Sequence, residues 1–256
     1  MIYVVYDHSF EGFLSAVFEI YERKLTNAFI RKTDVQLPLL FVEDTIEITT
    51  NEEKANRVAE KLEKIMGQEG VRKLWKAWLT EDSHVEDCIF GSIRYSLEQQ
   101  RNILSDYGNL YVIELSQKLK MIEREKHRME AFVRFQLTND ELYYSVVEPD
   151  FNVLPLILPH FKERYADQRW LIYDLKRHYG IYYDKNTVEF INFEQLDSRQ
   201  LQSPKKNIFA EEEELYQTLW KDYFKSANIQ SRKNTKLHVQ HVPKRYWKYL
   251  TEKGIG

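Results

Sequence analysis

The sequence predicts an α+β fold: a mostly helical N-terminal half with a small strand pair, then an antiparallel sheet with packed helices in the C-terminal half. Three observations carry this. Apolar residues recur at three- and four-residue spacing through most of residues 10–128, the period of amphipathic helices. From 132 to 193 the pattern shortens to alternating runs separated by turn residues, as in a sheet. The chain is 43% hydrophobic with only 8 Gly and 6 Pro in 256 residues, which excludes collagen-like and disordered classes.

Taken in order, residues 2–6 are a β-rich run closed by Asp7-His8-Ser9. Ser9 is placed to cap a helix over 10–24, whose apolar face holds Phe10, Phe13, Leu14, Val17, Phe18 and Tyr21. Asp7 and His8 at the strand end read as turn and capping residues. Leu39-Leu40-Phe41 after Pro38 lead into an alternation over 44–50, with Ile46 and Ile48 on one side, which predicts a second strand paired with the first. Asn51 then caps a helix with acids in its first turn, running to about Met66. Further helices are expected over 69–79, 85–100 and 110–128. Trp75 and Trp78, three apart, share a core face, and Cys88 among Val85 and Ile89 is expected to be a buried, inert thiol.

In the second half, residues 132–137 and 142–147 flank Thr138-Asn139-Asp140-Glu141, which predicts a hairpin. A helix over about 154–165 and strands over 169–175, 181–184 and 188–193 complete the sheet. Residues 195–207, polar and including Pro204, are expected to link this sheet to a helix over 211–224 that begins with four glutamates. Pro243 opens a short helix through Leu250. The chain thus divides into a helical region, 1–125, and an antiparallel α+β region with a basic tail, 126–256, or forms one continuous domain.

Charge gives the first functional signal. Overall, 37 basic and 40 acidic residues leave a net charge of −3. Yet residues 228–250 hold Arg232, Lys233, Lys236, Lys244, Arg245 and Lys248 with no acid among them, interleaved with His238, His241, Tyr246, Trp247 and Tyr249. Cations beside aromatic rings suit a polyanion with flat bases, because charge meets phosphate and rings stack on bases. The competing reading is that the rings anchor the C-terminal segment to the core. A second polar concentration, with Arg128, Arg134, His160, Arg164, Asp174 and Arg177, admits two readings. Either arginines hold phosphate while Asp174, His160, His238 or His241 moves protons, or the charges pair along sheet edges and helix ends. No Cys-x-x-Cys, His-x-x-x-His or paired-acid spacing predicts a metal site there, and no cofactor is expected.

One cysteine cannot form an internal disulfide, which suits a reducing compartment. No apolar run approaches the ~20 residues of a membrane helix. The opening MIYVVYDHSF lacks the basic start and cleavage site of a signal peptide. The expectation is a cytoplasmic protein with no membrane partner.

The runs HRMEAFVRFQ, DFNVLPLILPHFKERYADQRWLIYD, KRHYGIYYD and KLHVQHVPKRYWKYL, with the opening YDHSFEGFLSAVFEIYERK, resemble an uncharacterised bacterial family of probable DNA metabolism proteins. The resemblance covers nearly the whole chain. Related proteins carry this domain fused to a uracil-DNA-glycosylase-like domain, or are encoded beside a radical SAM protein of DNA repair or modification. The family supplies no established reaction or catalytic residues. This chain has no glycosylase domain and no Cys-x-x-x-Cys-x-x-Cys motif, so such chemistry would belong to another polypeptide. The resemblance implies a DNA-associated accessory protein, with DNA preferred over RNA and a radical SAM protein as partner. Two alternatives stay open: an enzyme acting on a phosphodiester or nucleotide through Asp174 and histidines, and a protein–protein adaptor.

Overall fold

The structure is a computed structural model that describes residues 1–35, 42–192, 239, 242–251 and 253. The expected linker and helix at 195–224, Pro38 to Phe41, and Arg232, Lys233, Lys236, His238 and His241 lie outside the described residues. The chain forms two compact units, residues 1–123 and 124–256.

The first unit is built on β1 (Ile2–Tyr6), which lies between β2 (Ala28–Lys32) and β3 (Asp44–Glu47) and pairs with both in parallel. Ser9 caps α1 (Phe10–Glu22) by accepting from the Gly12 N–H at 2.9 Å. Asp7 does hold the turn together, accepting from the hydroxyls of Ser9 and Thr50, each at 2.6 Å. Phe13, Val17 and Ile20 of α1 join Val4, Tyr6 and Ile30 of the sheet in one core. Three parallel strands stand where the sequence suggested a pair. The missed strand is β2, whose AFIRK ends in two cations. Arg31 is matched by a two-pronged bond to Asp87, both contacts 2.7 Å, so its charge does not prevent strand formation.

Asn51 caps α2 (Glu52–Trp78), accepting from the Lys54 N–H at 3.0 Å. The helix breaks at Gly67, where φ 76° and ψ 165° are open only to glycine, and this explains the two separate periodic runs in the sequence. Next come α3 (Val85–Gln99) and α4 (Leu110–Phe132). Tyr6 and Trp78 carry a polar thread through the core: the Trp78 indole N–H donates to the Tyr6 hydroxyl, which donates to Glu86, each at 3.0 Å. Cys88 is fully buried, and burial pushes its thiol up to about 12, so it is inert as a nucleophile. Among the described residues no helix is long and apolar enough to cross a membrane.

The second unit contains a five-stranded sheet in the order β4 (Gln136–Leu137), β5 (Tyr143–Val147), β6 (Trp170–Asp174), β7 (Tyr179–Tyr183), β8 (Val188–Asn192). Helix α5 (Leu154–Arg164) connects β5 to β6. The sheet is mixed rather than antiparallel throughout, because β5 and β6 run parallel while the other three pairings are antiparallel. The intervening helix is the physical reason: a helical crossover returns the chain to the same end of the sheet. The first arm of the hairpin is also shorter than expected. α4 continues to Phe132, whose ring packs on Tyr246 at 5.6 Å, so the strand begins only at Gln136. Phe135 fills the space between, packed against Tyr143, Phe161, Tyr165 and Trp170.

Candidate functional site

The site grows from the end of α4. Arg134 follows its last turn and donates from Nη1 to the carbonyls of Ala131 at 2.7 Å and Val133 at 3.2 Å, which places a cation at the negative end of the helix. About two turns before the helix ends, Glu125 is 1% exposed and gathers partners around its carboxylate. The Asp150 N–H donates to Oε1 at 2.8 Å, Arg128 lies 3.4 Å from Oε2, and the Tyr246 hydroxyl donates to Oε1.

Tyr246 comes from the C-terminal segment, where residues Lys244–Tyr249 form a 3-10 helix begun by Pro243 as the sequence implied. Its ring is 2% exposed, and burial followed by the Glu125 carboxylate pushes its phenol well above the ordinary range, keeping it a neutral donor. Arg245 stacks over that ring at 4.5 Å and pairs with Asp150. Lys248 donates to Glu148 at 2.5 Å, and the Tyr249 hydroxyl donates to the same oxygen at 2.7 Å. Trp247 bonds the Val242 carbonyl through its indole N–H at 3.0 Å, with Lys244 and Lys253 over its ring. In the described part of the tail, therefore, the rings do anchor the segment to the core. Arg245 and Lys248 meet acids supplied by the loop after β5, and do not form a bare cationic face.

A groove of about 280 Å³ lies between this tail and β5. It is lined by Arg134 and Lys248, the phenols Tyr144 and Tyr249, and the hydroxyl residues Ser145 and Thr251. Two cations and several hydroxyl donors around one concavity suit an oxyanion, which guanidinium and ammonium groups bind by charge-assisted hydrogen bonds. An ammonium has three donors, and Glu148 takes one from Lys248.

The other candidate residues fall elsewhere. Asp174 is fully buried and pairs with Arg177 at 2.8 Å, while also accepting from the backbone N–H groups of Lys176 at 2.8 Å and Arg177 at 3.3 Å. Burial raises its pKa, and the Arg177 guanidinium opposes that shift. Arg177 also donates to the carbonyls of Pro149 and Asp150. This pair closes the β6–β7 turn and presents no open carboxylate to a substrate. His160 is half-buried on α5, edge-on to Phe161 at 5.1 Å, and Arg164 is exposed with its guanidinium 5.8 Å from the Tyr165 ring. No hydrogen bond or ion pair among the described residues joins Asp174 to His160.

Of the site residues singled out in the sequence, the groove collects Arg134, and Arg128 and Arg245 share Glu125. Reasoning from sequence did not single out Tyr144, Ser145, Glu125 or Glu148. Glu125 carried a usable signal, since it lies three residues after buried Ile122 and four before buried Met129 on one helical face. A carboxylate on an apolar face needs a buried partner. β5 offered no such clue, because Tyr and Ser fit either face of a strand.

Residues 83–252 match a family described as a domain of unknown function, DUF4130, which is about two thirds of the chain. The chain belongs to the DUF4130 family. No curated protein matches it. The DUF4130 match takes in α3, α4, the whole mixed sheet, the groove and the anchored tail. Among the described residues, no group of three or more His, Cys, Asp or Glu is placed to hold a metal ion.

The groove should respond to acid. Lys248 first, then the Tyr249 hydroxyl, holds the Glu148 carboxyl below its usual value of 4.5. A carboxyl depressed by folding contributes stability above its unfolded pKa and loses it as pH falls through the folded one. Acidification below 4.5 is therefore expected to loosen the Lys248–Tyr249 end of the tail. The change should appear in Trp247 fluorescence, and in Glu148→Gln the signal should already be shifted at neutral pH and flat through this range.

Proposed function

We propose that this DUF4130 protein is a nucleic-acid-binding accessory factor in bacterial DNA repair or modification. It holds a phosphate of a DNA strand in the groove and works with a separate catalytic polypeptide. The observation that carries this reading is the pairing of Arg134 and Lys248 across one hydroxyl-lined groove. The family resemblance to DNA metabolism proteins supplies the biological context, names a radical SAM protein as the partner class, and agrees with a cytoplasmic location. In this reading Arg232, Lys233, Lys236, His238 and His241 are further candidates for phosphate contact on grounds of sequence, and Lys244 stands at the exposed start of the 3-10 helix. Asp174, enclosed and held by Arg177, gives no support to acid–base chemistry by this chain.

The test is fluorescence anisotropy of labelled single- and double-stranded oligonucleotides over a salt series. Each phosphate contact releases counterions, so log K falls with log salt by roughly 0.7 to 0.9 per contact. Arg134→Ala is expected to weaken binding at every sequence alike and to reduce that slope by about 1. No binding by the intact chain at low salt would remove direct nucleic-acid recognition and leave the adaptor reading in its place.

A further inference from the structure

The first unit carries a cleft that uses none of the groove's residues. Two neighbouring cavities, about 510 Å³ and about 380 Å³, share Asn27, Ala28, Phe90, Arg94 and Glu98 in their walls and so lie side by side along one cleft. Both fall within the size range of small-molecule sites, which are lined mainly by apolar and aromatic groups with a few convergent polar ones.

The walls are rings held in place. Tyr95 is fixed by its hydroxyl, which donates to Asp106 at 2.7 Å. Tyr111 lies flat on Gly91, where an added Cβ would come 2.4 to 2.6 Å from three of its ring carbons, so only glycine admits the ring there. Phe90 lines both cavities, and Tyr21, on α1, lines the first. Tyr21 and Tyr111 are each 46% exposed, so both present part of their surface to solvent.

The charge is distinctive too. Arg94 stands over the Phe90 ring at 5.8 Å, at the junction of the two cavities, and makes no ion pair with a described residue. Lys24 is a second cation on the wall of the first cavity and makes no ion pair with a described residue. By contrast Asp87, on the wall of the second cavity, has its charge taken up by Arg31. The backbone adds a polar edge. Asn27 accepts from Ile2 and Thr33 donates to Tyr6, so the odd-numbered residues from 27 to 33 face β1 and Ala28 faces the other way. β2 has no strand on that side among the described residues, so the N–H and C=O of Ala28 lie on the cleft side.

We infer that this cleft binds a small planar aromatic anion, its flat face held between the rings and its charge met by Arg94 and Lys24. Asn27, Glu98 and the Ala28 backbone supply hydrogen-bonding groups for polar atoms on the ring edge. Phosphate and carboxylate share this chemistry, so a mononucleotide and an aromatic carboxylate are its two sources.

The experiment is ligand-observed saturation-transfer NMR with titration on the full chain, using AMP, UMP, 1-naphthoate and uncharged adenosine. At least one anionic probe should bind with a Kd below about 1 mM. Adenosine should bind at least about tenfold more weakly than AMP, and Arg94→Ala should weaken the bound anion by about tenfold. Preference for AMP or UMP assigns phosphate as the anion, and preference for 1-naphthoate assigns carboxylate. Arg94 is exposed, so its replacement leaves the core intact, and Arg94→Lys should restore part of the affinity. Arg134→Ala should change nothing here, which separates this cleft from the groove of the second unit. The inference is overturned if no anion binds at that concentration, if adenosine equals AMP, or if Arg94→Ala binds as the intact chain does.

Discussion

Glu125→Ala is expected to destabilise the second unit by about 3 kcal/mol, the scale seen when one member of a buried charged pair is removed. Its carboxylate accepts from Tyr246 and Asp150 and stands beside Arg128 and Arg245, so alanine leaves several donors without their acceptor. The Tyr246 hydroxyl suffers most, since it is buried and cannot turn to water. Urea unfolding followed by tryptophan fluorescence measures the loss. Tyr246→Phe, which keeps the ring against Phe132, should cost only about 1 to 2 kcal/mol. Combined with Glu125→Ala it should add less than its own single effect, because the two residues act as one contact. A Glu125→Ala cost under about 0.5 kcal/mol, the level of an ordinary surface change, would mean the tail is not anchored through this carboxylate.

Asp174→Ala should cost a similar or larger amount, about 3 to 5 kcal/mol, for a related reason. Arg177 is only 9% exposed and would lose the Asp174 charge beside it, while two backbone N–H groups of the β6–β7 turn lose their acceptor. The same turn contains His178 at φ 57°, a conformation that needs holding. Asp174→Asn keeps a side-chain oxygen for the backbone bonds and should lose less than alanine. The pH dependence has a definite sign. Burial raises the Asp174 pKa, so the folded protein binds its proton more tightly than the unfolded chain does. The stability from this group is present below the unfolded pKa and is lost as pH rises through the folded one. The advantage of the intact protein over Asp174→Asn should therefore shrink as pH rises across that window. A widening gap would show that Arg177 outweighs burial.

Much of the fold was legible because local chemistry decided it. Ser9 and Asn51 cap where their side chains meet the next N–H groups, and alternation marked β5 through β8 within a few residues. What escaped depends on partners distant in sequence. β2 carries Arg31, whose acid lies 56 residues away on α3. The end of α4 extends to Phe132 because Tyr246 packs on it, and the parallel β5–β6 pairing follows from the path of α5. The site shows the same division. Arg134 stood out as a cation, but its place in the groove depends on Lys248, and the tail's neutralising acids precede it by about a hundred residues. Glu148 lies 100 residues before Lys248 and Asp150 lies 95 before Arg245. A count of local charge along 228–250 could not register them. Arg94 was also missed, because a cation on an exposed helix face is ordinary until the cleft beside it is known.

The bond from Tyr246 to Glu125 spans 121 residues, and this has a consequence for how the chain is made. At about 5 to 20 residues added per second, Glu125 is synthesised roughly 6 to 24 s before its tyrosine exists. The first unit, drawn from residues 1–123, has all of its chain by then. The second must wait with an unmatched carboxylate at a site that later becomes its interior. An enclosed carboxylate without a partner is costly, whereas a hydrated one is not. The order of synthesis therefore favours a nascent second unit that stays open around Glu125 and closes only when the aromatic tail arrives.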